Sequence, residues 1–254
     1  PVGLHVPMTI DALRSGCHTL VEKPLGLTYE DALSAVEAAR DAGLVSGCAY
    51  FRRFYPAYRR TAEMLERGVF GKVTHIRLSY FSWFNPAPDD PKYWRVVRAR
   101  SGGGPLADMG THMFDVLIGL FGLPERVSAM VAAQDRDWDV EDGSAIIMRF
   151  PGGALATAAI HWNSKTWNHA FEIVGTEARA LWQPYDNGKM IVAIGRDTEE
   201  IQLQPAENVH LPLIEDFVAA VRERRSPAIT LAEAAKTNRL LDAVYQSARE
   251  GREA

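Results

Sequence analysis

The chain has 254 residues, 47% of them hydrophobic, with a net charge of −4 at pH 7 and a sequence pI of about 6.0. That is enough apolar material for one large domain or two smaller ones, and too little basic charge for a nucleic-acid footprint. There is no apolar run of the roughly 18 residues a membrane span requires, so the expected partner is a small molecule.

The sequence opens on "PVGLHVP", without Met and without a leading strand, as expected if its natural start lies upstream. Cys17 and Cys48 lie beside apolar residues and form no CxxC pair, which reads as two buried free thiols in a reducing, cytoplasmic compartment. "HTLVEKP" reads as a short buried strand. In "LTYEDALSAVEAARDAG", Thr28 caps a helix with Asp31 three residues on. Ala32, Leu33, Val36 and Ala39 form the expected inner stripe, and Gly43 stands at the C′ position. "LVSGCAY" is a second strand, so residues 18–50 spell a parallel βαβ unit. "PAYRRTAEMLERG" is a further helix, with Pro56 in its first turn and Gly68 at its end.

From Lys72 the pattern changes. "KVTHIRLSYFSW" alternates with period two, and seven more strand candidates follow the 105–121 segment, separated by "PGG", Gly175 and "DNG". They read as an antiparallel meander. Two helices close the chain. One should bury Leu213, Ile214, Phe217, Val218 and Val221. The other should be capped by Thr230 with Glu233, bury Leu240, Leu241, Val244 and Tyr245, and end at Gly251. The fold class is thus α/β plus α+β: a partial Rossmann-type parallel sheet over residues 1–49, then a domain over 50–254 with a large, mostly antiparallel sheet packed against helices.

Two stretches carry chemistry. At 100° per residue, the 105–121 segment puts Met109, Met113, Val116, Leu117 and Leu120 on one side and Asp108, His112 and Asp115 in a narrow arc opposite, with Gly119 adding no bulk there. An ordinary solvent face would carry Lys, Arg or Glu, and this arc has none. Gly102–Gly104 just before it would let backbone approach a ligand. A His four residues from an Asp can be oriented by it. In "LVEKPLG", Lys23 lies at the carboxyl end of a parallel strand, where ligands bind in open α/β sheets, and Pro24 could form a cis bond.

Together "EKP" and "GGG-x-L-x-D-x-G-x-H-x-x-D" resemble the glucose–fructose oxidoreductase / inositol dehydrogenase / MocA-type dehydrogenases. "P-x-x-L-H" at the start, "FRRFYP", "ERGVFGKV", "YWR" and the closing "EDFVAAV…P…T…YQSAREG" extend the resemblance over nearly the whole chain. It implies an NAD- or NADP-dependent oxidoreductase moving a hydride to or from a secondary alcohol of a sugar, inositol or related polyol. His112 would be the base, Asp108 would orient it or hold a substrate hydroxyl, and Lys23 would stabilise the developing alkoxide. Glu22, Lys23, Pro24 and Arg52 would meet the cofactor, and Trp94, Arg95, Asp108 and His112 the substrate. Arg53 and Asp115 are open between a role there and plain structure. Tyr50, Phe51, Phe81, Trp83, Phe84, Tyr93 and Trp94 could offer aromatic faces to a sugar. "HWNSKTWNH" reads equally as a loop rimming the cleft and as an exposed strand end. The family's G-x-G-x-x-G fingerprint is absent, which by resemblance puts roughly 70–80 residues of dinucleotide domain outside this chain; as printed the chain should bind NAD(P) poorly and be inactive. The resemblance also implies a homo-oligomer through the antiparallel sheet. Three rival readings stand beside it: a metal enzyme built on Asp108 and His112, for which no second His/Glu pair is evident; a non-catalytic sugar-binding sensor; and an enzyme that cleaves or epimerises glycosides by transient oxidation.

Overall fold

The computed structural model describes all residues, Pro1–Ala254. The chain starts in helix α1 (His5–Arg14) and runs through β1 (Thr19–Val21), α2 (Tyr29–Ala42) and β2 (Ser46–Cys48). β1 and β2 pair in parallel, Leu20 opposite Gly47, which completes the expected βαβ unit. α2 begins where the capping pattern placed it: Thr28 Oγ1 accepts from the Asp31 amide at 3.1 Å, and Gly43 closes it in the left-handed region. Its inner stripe is Ala32 and Ala35 with Val36 and Ala39. Leu33 is exposed instead, because the small alanines let the helix sit close to its neighbours. Cys48 is buried as expected, whereas Cys17, in the turn after α1, is exposed; both are free.

Helix α3 (Pro56–Glu66) leads into the long strand β3 (Val73–Trp83). A single helical turn, α4 (Arg98–Ser101), a π-helical turn (Leu106–Gly110) and α5 (Thr111–Phe121) follow. Strands β4 (Arg126–Ala132), β5 (Gly143–Arg149), β6 (Leu155–His161), β7 (Asn163–Gly175), β8 (Ala178–Trp182), β9 (Lys189–Ile194) and β10 (Asp197–Gln202) come next, then α6 (Leu211–Glu223) and α7 (Leu231–Glu250).

The large sheet is not a plain meander. Its order is β10-β9-β8-β7-β3-β6-β5-β4, so β3 is inserted between β6 and β7 and pairs in parallel with β6. Only Trp162 separates β6 from β7, and the first residues of β7 cross over the end of β3, with register shifts there. This crossing segment is the "HWNSKTWNH" stretch.

One face of the sheet is covered. Ile76 and Leu78 of β3, Ile146 and Met148 of β5, Phe171 and Ile173 of β7 and Trp182 of β8 pack with α5 and α7 into the main core. A second core joins β1, β2 and α2 to α6 and α7 through Leu25, Tyr50, Leu213, Leu231 and Ala234. α7 serves both. Its first turns belong to the small core and its later residues Leu240, Leu241 and Val244 to the large one. Asn238 Nδ2 also donates to the Gly26 carbonyl at 2.8 Å. On α6, Leu213 and Ala220 are buried, while Ile214 and Val218 are exposed, because only one narrow edge of this helix meets the small core.

Candidate active site

The two stretches singled out in the sequence meet. Lys23 leaves the carboxyl end of β1 and donates from Nζ to the Asp108 carbonyl at 2.8 Å and to Oδ1 at 3.3 Å, across 85 residues of chain. Around this contact is a cleft of about 270 Å³ whose lining includes His5, Glu22, Lys23, Pro24, Trp94, Arg95 and Asp108. Arg95 Nη1 lies 3.8 Å from Asp108 Oδ2, so this carboxylate stands between two cations. Burial pulls the Lys23 ammonium below the usual lysine range, and Asp108 pulls it back. The Lys23–Pro24 peptide is cis.

The single line of Asp108, His112 and Asp115 does not survive folding. Residues 106–110 form a π turn, so the 100° increment fails at the first member. Asp108 turns to Lys23 and Arg95 and does not orient His112. The carbonyl of Asp108 also accepts from Thr111 Oγ1 at 3.3 Å. His112, 5% exposed, packs its ring against Phe51 at 5.2 Å and Tyr50 at 6.1 Å, outside the lining of the Lys23 cleft. Its Nδ1 is buried with no partner. Burial first, and then the charges of Arg52 and Lys23, hold the imidazole well below its ordinary value, so it is neutral near pH 7. Asp115 is fully buried and ion-paired with Arg53 at 2.7 and 3.0 Å.

The glycine run serves the protein more than a ligand. A Cβ on Gly104 would strike the Glu141 carbonyl, and one on Gly103 the Tyr245 hydroxyl. Buried Glu141 accepts from the Gly104 and Leu106 amides at 2.9 and 3.2 Å and from Tyr245 at 2.9 Å, which pins the loop that carries Asp108. Most of the aromatic residues also lie elsewhere. Phe81 stacks on His161, Trp83 is 44% exposed and Phe84 packs on Trp162; only Trp94 lines the cleft, while Tyr50 and Phe51 surround His112.

Arg52, expected at the cofactor, is committed to Asp186 by Nε and Nη2 at 2.9 and 3.1 Å. Asp186 also lies 3.0 Å from His169 Nδ1. Motif reading did not find this group, because Arg52 and Asp186 are 134 residues apart. One signal was available: His169 is in phase with Phe171 and Ile173, a polar residue in an otherwise apolar inner row.

Residues 1–50 match the family profile described as oxidoreductase family, NAD-binding Rossmann fold, and residues 58–181 match the GFO/IDH/MocA C-terminal domain. The chain is 30% identical over 233 residues to 1,5-anhydro-D-fructose reductase of Ensifer adhaerens, covering 89% of this chain and 69% of that protein. It belongs to the Gfo/Idh/MocA family of oxidoreductases. Within that family it is 28% identical over 222 residues to levoglucosan dehydrogenase of Pseudarthrobacter phenanthrenivorans, covering 78% of this chain and 57% of the relative. The chain thus spans between 57% and 69% of the length of these two curated relatives. The aldose-aldose oxidoreductase of Caulobacter crescentus, in complex with glycerol, superposes with a TM-score of 0.91 at 26% identity over 100% of this chain and 76% of that one. All of this chain, its small parallel sheet and the large mixed sheet that follows, thus superposes on 76% of that neighbour.

Proposed function

We propose that this chain carries the substrate side and part of the cofactor side of an NAD(P)-dependent oxidoreductase acting on a secondary alcohol of a sugar or polyol. The observation that carries the reading is the Lys23–Asp108 contact, which fixes a half-buried ammonium in a cleft at the carboxyl end of a parallel strand. The named activities of the relatives, all sugar oxidoreductases, support it. We divide the labour as residues 1–49 for the cofactor side and 50–254 for the substrate side.

The residues present fit the nicotinamide end of such a cofactor. Glu22, Lys23 and Pro24 line the cleft with Trp94 and Arg95, whereas no G-x-G-x-x-G turn occurs in these 254 residues to cradle a pyrophosphate. When bound, the nicotinamide exchanges a hydride with the carbon bearing the reacting hydroxyl. The chain's own residues manage the proton and the charge. We assign the hydroxyl proton to His112, whose imidazole is neutral near pH 7. Lys23 uses its contacts to Asp108 to hold Nζ in place. With three N–H donors and one oxygen-rich residue holding it, it keeps donor capacity for a developing alkoxide. Asp108 opposes the burial that pulls the ammonium below the usual lysine range.

The test is turnover of a panel of neutral sugars and inositols by the full-length protein with NAD and with NADP. Lys23→Met is expected to lower kcat/KM by about 10²-fold or more, the scale of one lost charge-stabilising donor. A Lys23→Met protein as fast as its parent on its best polyol would overturn the assignment.

We also propose that the uncovered face of the large sheet joins two copies of the chain. It presents a hollow of about 980 Å³ bordered by Phe81, Met130 and Ile147, of which Met130 is 80% and Ile147 58% exposed. Met130→Lys with Ile147→Lys is expected to shift the protein to monomer in sedimentation, at unchanged far-UV circular dichroism. No helix of the structure is long and apolar enough to cross a membrane, and two free cysteines fit a reducing compartment.

A further inference from the structure

Beside His112 lies a second set of polar side chains that the proposed chemistry leaves unused. Tyr80 of β3 sits directly across from His169 of β7, with the rings edge-on at 5.1 Å. They continue the inner rows of Ile76 and Leu78, and of Phe171 and Ile173, beyond the end of the apolar core. Tyr80 is within reach of the charges of both Asp108 and Asp186. Arg52, which holds Asp186, lies over Phe51 at 5.4 Å, and the Phe51 ring packs on His112. The cluster is therefore continuous with His112, which stands apart from the residues that line the Lys23 cleft.

His169 is 1% exposed and stacked on Tyr185 at 4.5 Å. A carboxylate that already takes two bonds from Arg52 can only accept, so at 3.0 Å the imidazole must give Asp186 its Nδ1 proton. In the neutral ring that leaves Nε2 as a pure acceptor. Nε2 is buried and has no donor. A buried acceptor without a donor is costly, and a ligand hydroxyl would satisfy it. An ether, carbonyl, carboxylate or ionised phosphate oxygen would not.

We infer that His169 is a substrate-recognition residue whose Nε2 accepts a hydrogen bond from a non-reacting hydroxyl of the sugar, selecting a free hydroxyl over an acid or a phosphate at that position. This deepens the proposed function and rests on it. The Asp186–Arg52 pair acts as the positioning group that sets the tautomer.

The discriminating variant is His169→Asn, whose side-chain amide can still donate to Asp186 but has nothing in place of Nε2. In the full-length protein with its nicotinamide nucleotide, using the polyol of best turnover, KM is expected to rise about 10-fold or more, much further than kcat falls. One monodeoxy analogue of that polyol should lose the same factor with the parent and nothing further with the variant. The ¹⁵N spectrum of the parent should show His169 protonated at Nδ1, with Nε2 moving when the polyol is added. An unchanged KM, deoxy analogues equally penalised in both proteins, or a His169 proton on Nε2 would each overturn the inference while leaving the oxidoreductase reading intact. A parent that turns over no neutral polyol with either nucleotide would instead overturn that reading, and this assignment with it.

Discussion

Replacing His112 by Ala in the full-length protein is expected to lower kcat for polyol oxidation by about 10²–10⁴-fold, the range for loss of a general base. The side chain lies inside the fold, ringed by Phe51 and Tyr50, and its buried Nδ1 meets no protein group. Most buried polar groups in folded proteins have a partner, and this nitrogen has none. The pH profile is the sharper measurement. Burial and the neighbouring Arg52 and Lys23 charges hold the imidazole well below 6.5. The base is therefore free at neutral pH, and the acid limb of kcat/KM for oxidation should fall below that value. Stability follows the same sign. The folded protein binds this proton less readily than the unfolded chain, so His112 contributes a loss of stability as pH drops below about 6.5. In His112→Ala both the acid limb and that increment of acid sensitivity should disappear. An alanine variant with parental kcat and an unshifted acid limb would remove His112 from the chemistry.

Asp115→Ala is expected to cost about 3–5 kcal/mol of stability, the usual consequence of leaving one member of a buried ion pair alone. For a chain this size that is a fall in Tm of roughly 6–20 °C, at about 2–4 °C per kcal/mol. The pair with Arg53 is fully enclosed on the Asp115 side, and Arg53 would be left with Glu233 at 3.7 Å. Gly119 makes room for it: a Cβ there would come within 2.9 Å of Arg53 Nε and 2.6 Å of the Tyr58 hydroxyl. Burial pushes the Asp115 carboxyl up to about 6 even against Arg53. The raised value means that the folded state holds this proton more tightly than the unfolded chain. Asp115 therefore adds stability below about pH 4, and that share is lost as pH rises toward 6. Scanning calorimetry of Asp115→Ala, and of Asp115→Leu with Arg53→Met, separates the two costs. The double variant should recover most of the loss, because matched apolar groups tolerate this environment. A single variant as stable as the parent would mean that the pair carries little.

Local codes in the chain determined its local structure. Thr28 with Asp31, Thr230 with Glu233, Pro56 and the glycines at 43 and 251 set helix ends through hydrogen bonds or backbone freedom within a few residues. Period-two alternation placed β3 and its partners for the same reason. Lys23, Glu22, Asp108 and Arg95 were legible because each belongs to a short motif, and the cleft brings them together. Tertiary structure decided what depends on distant partners. A π turn at 106–110 moved Asp108 out of the expected line to Lys23, which periodicity cannot reveal, while His112 and Asp115, both on α5, met Phe51 and Arg53 supplied by a distant segment. The insertion of β3 between β6 and β7, and the Arg52–Asp186–His169 group it helps to assemble, arise from pairings across scores of residues, which no local pattern encodes.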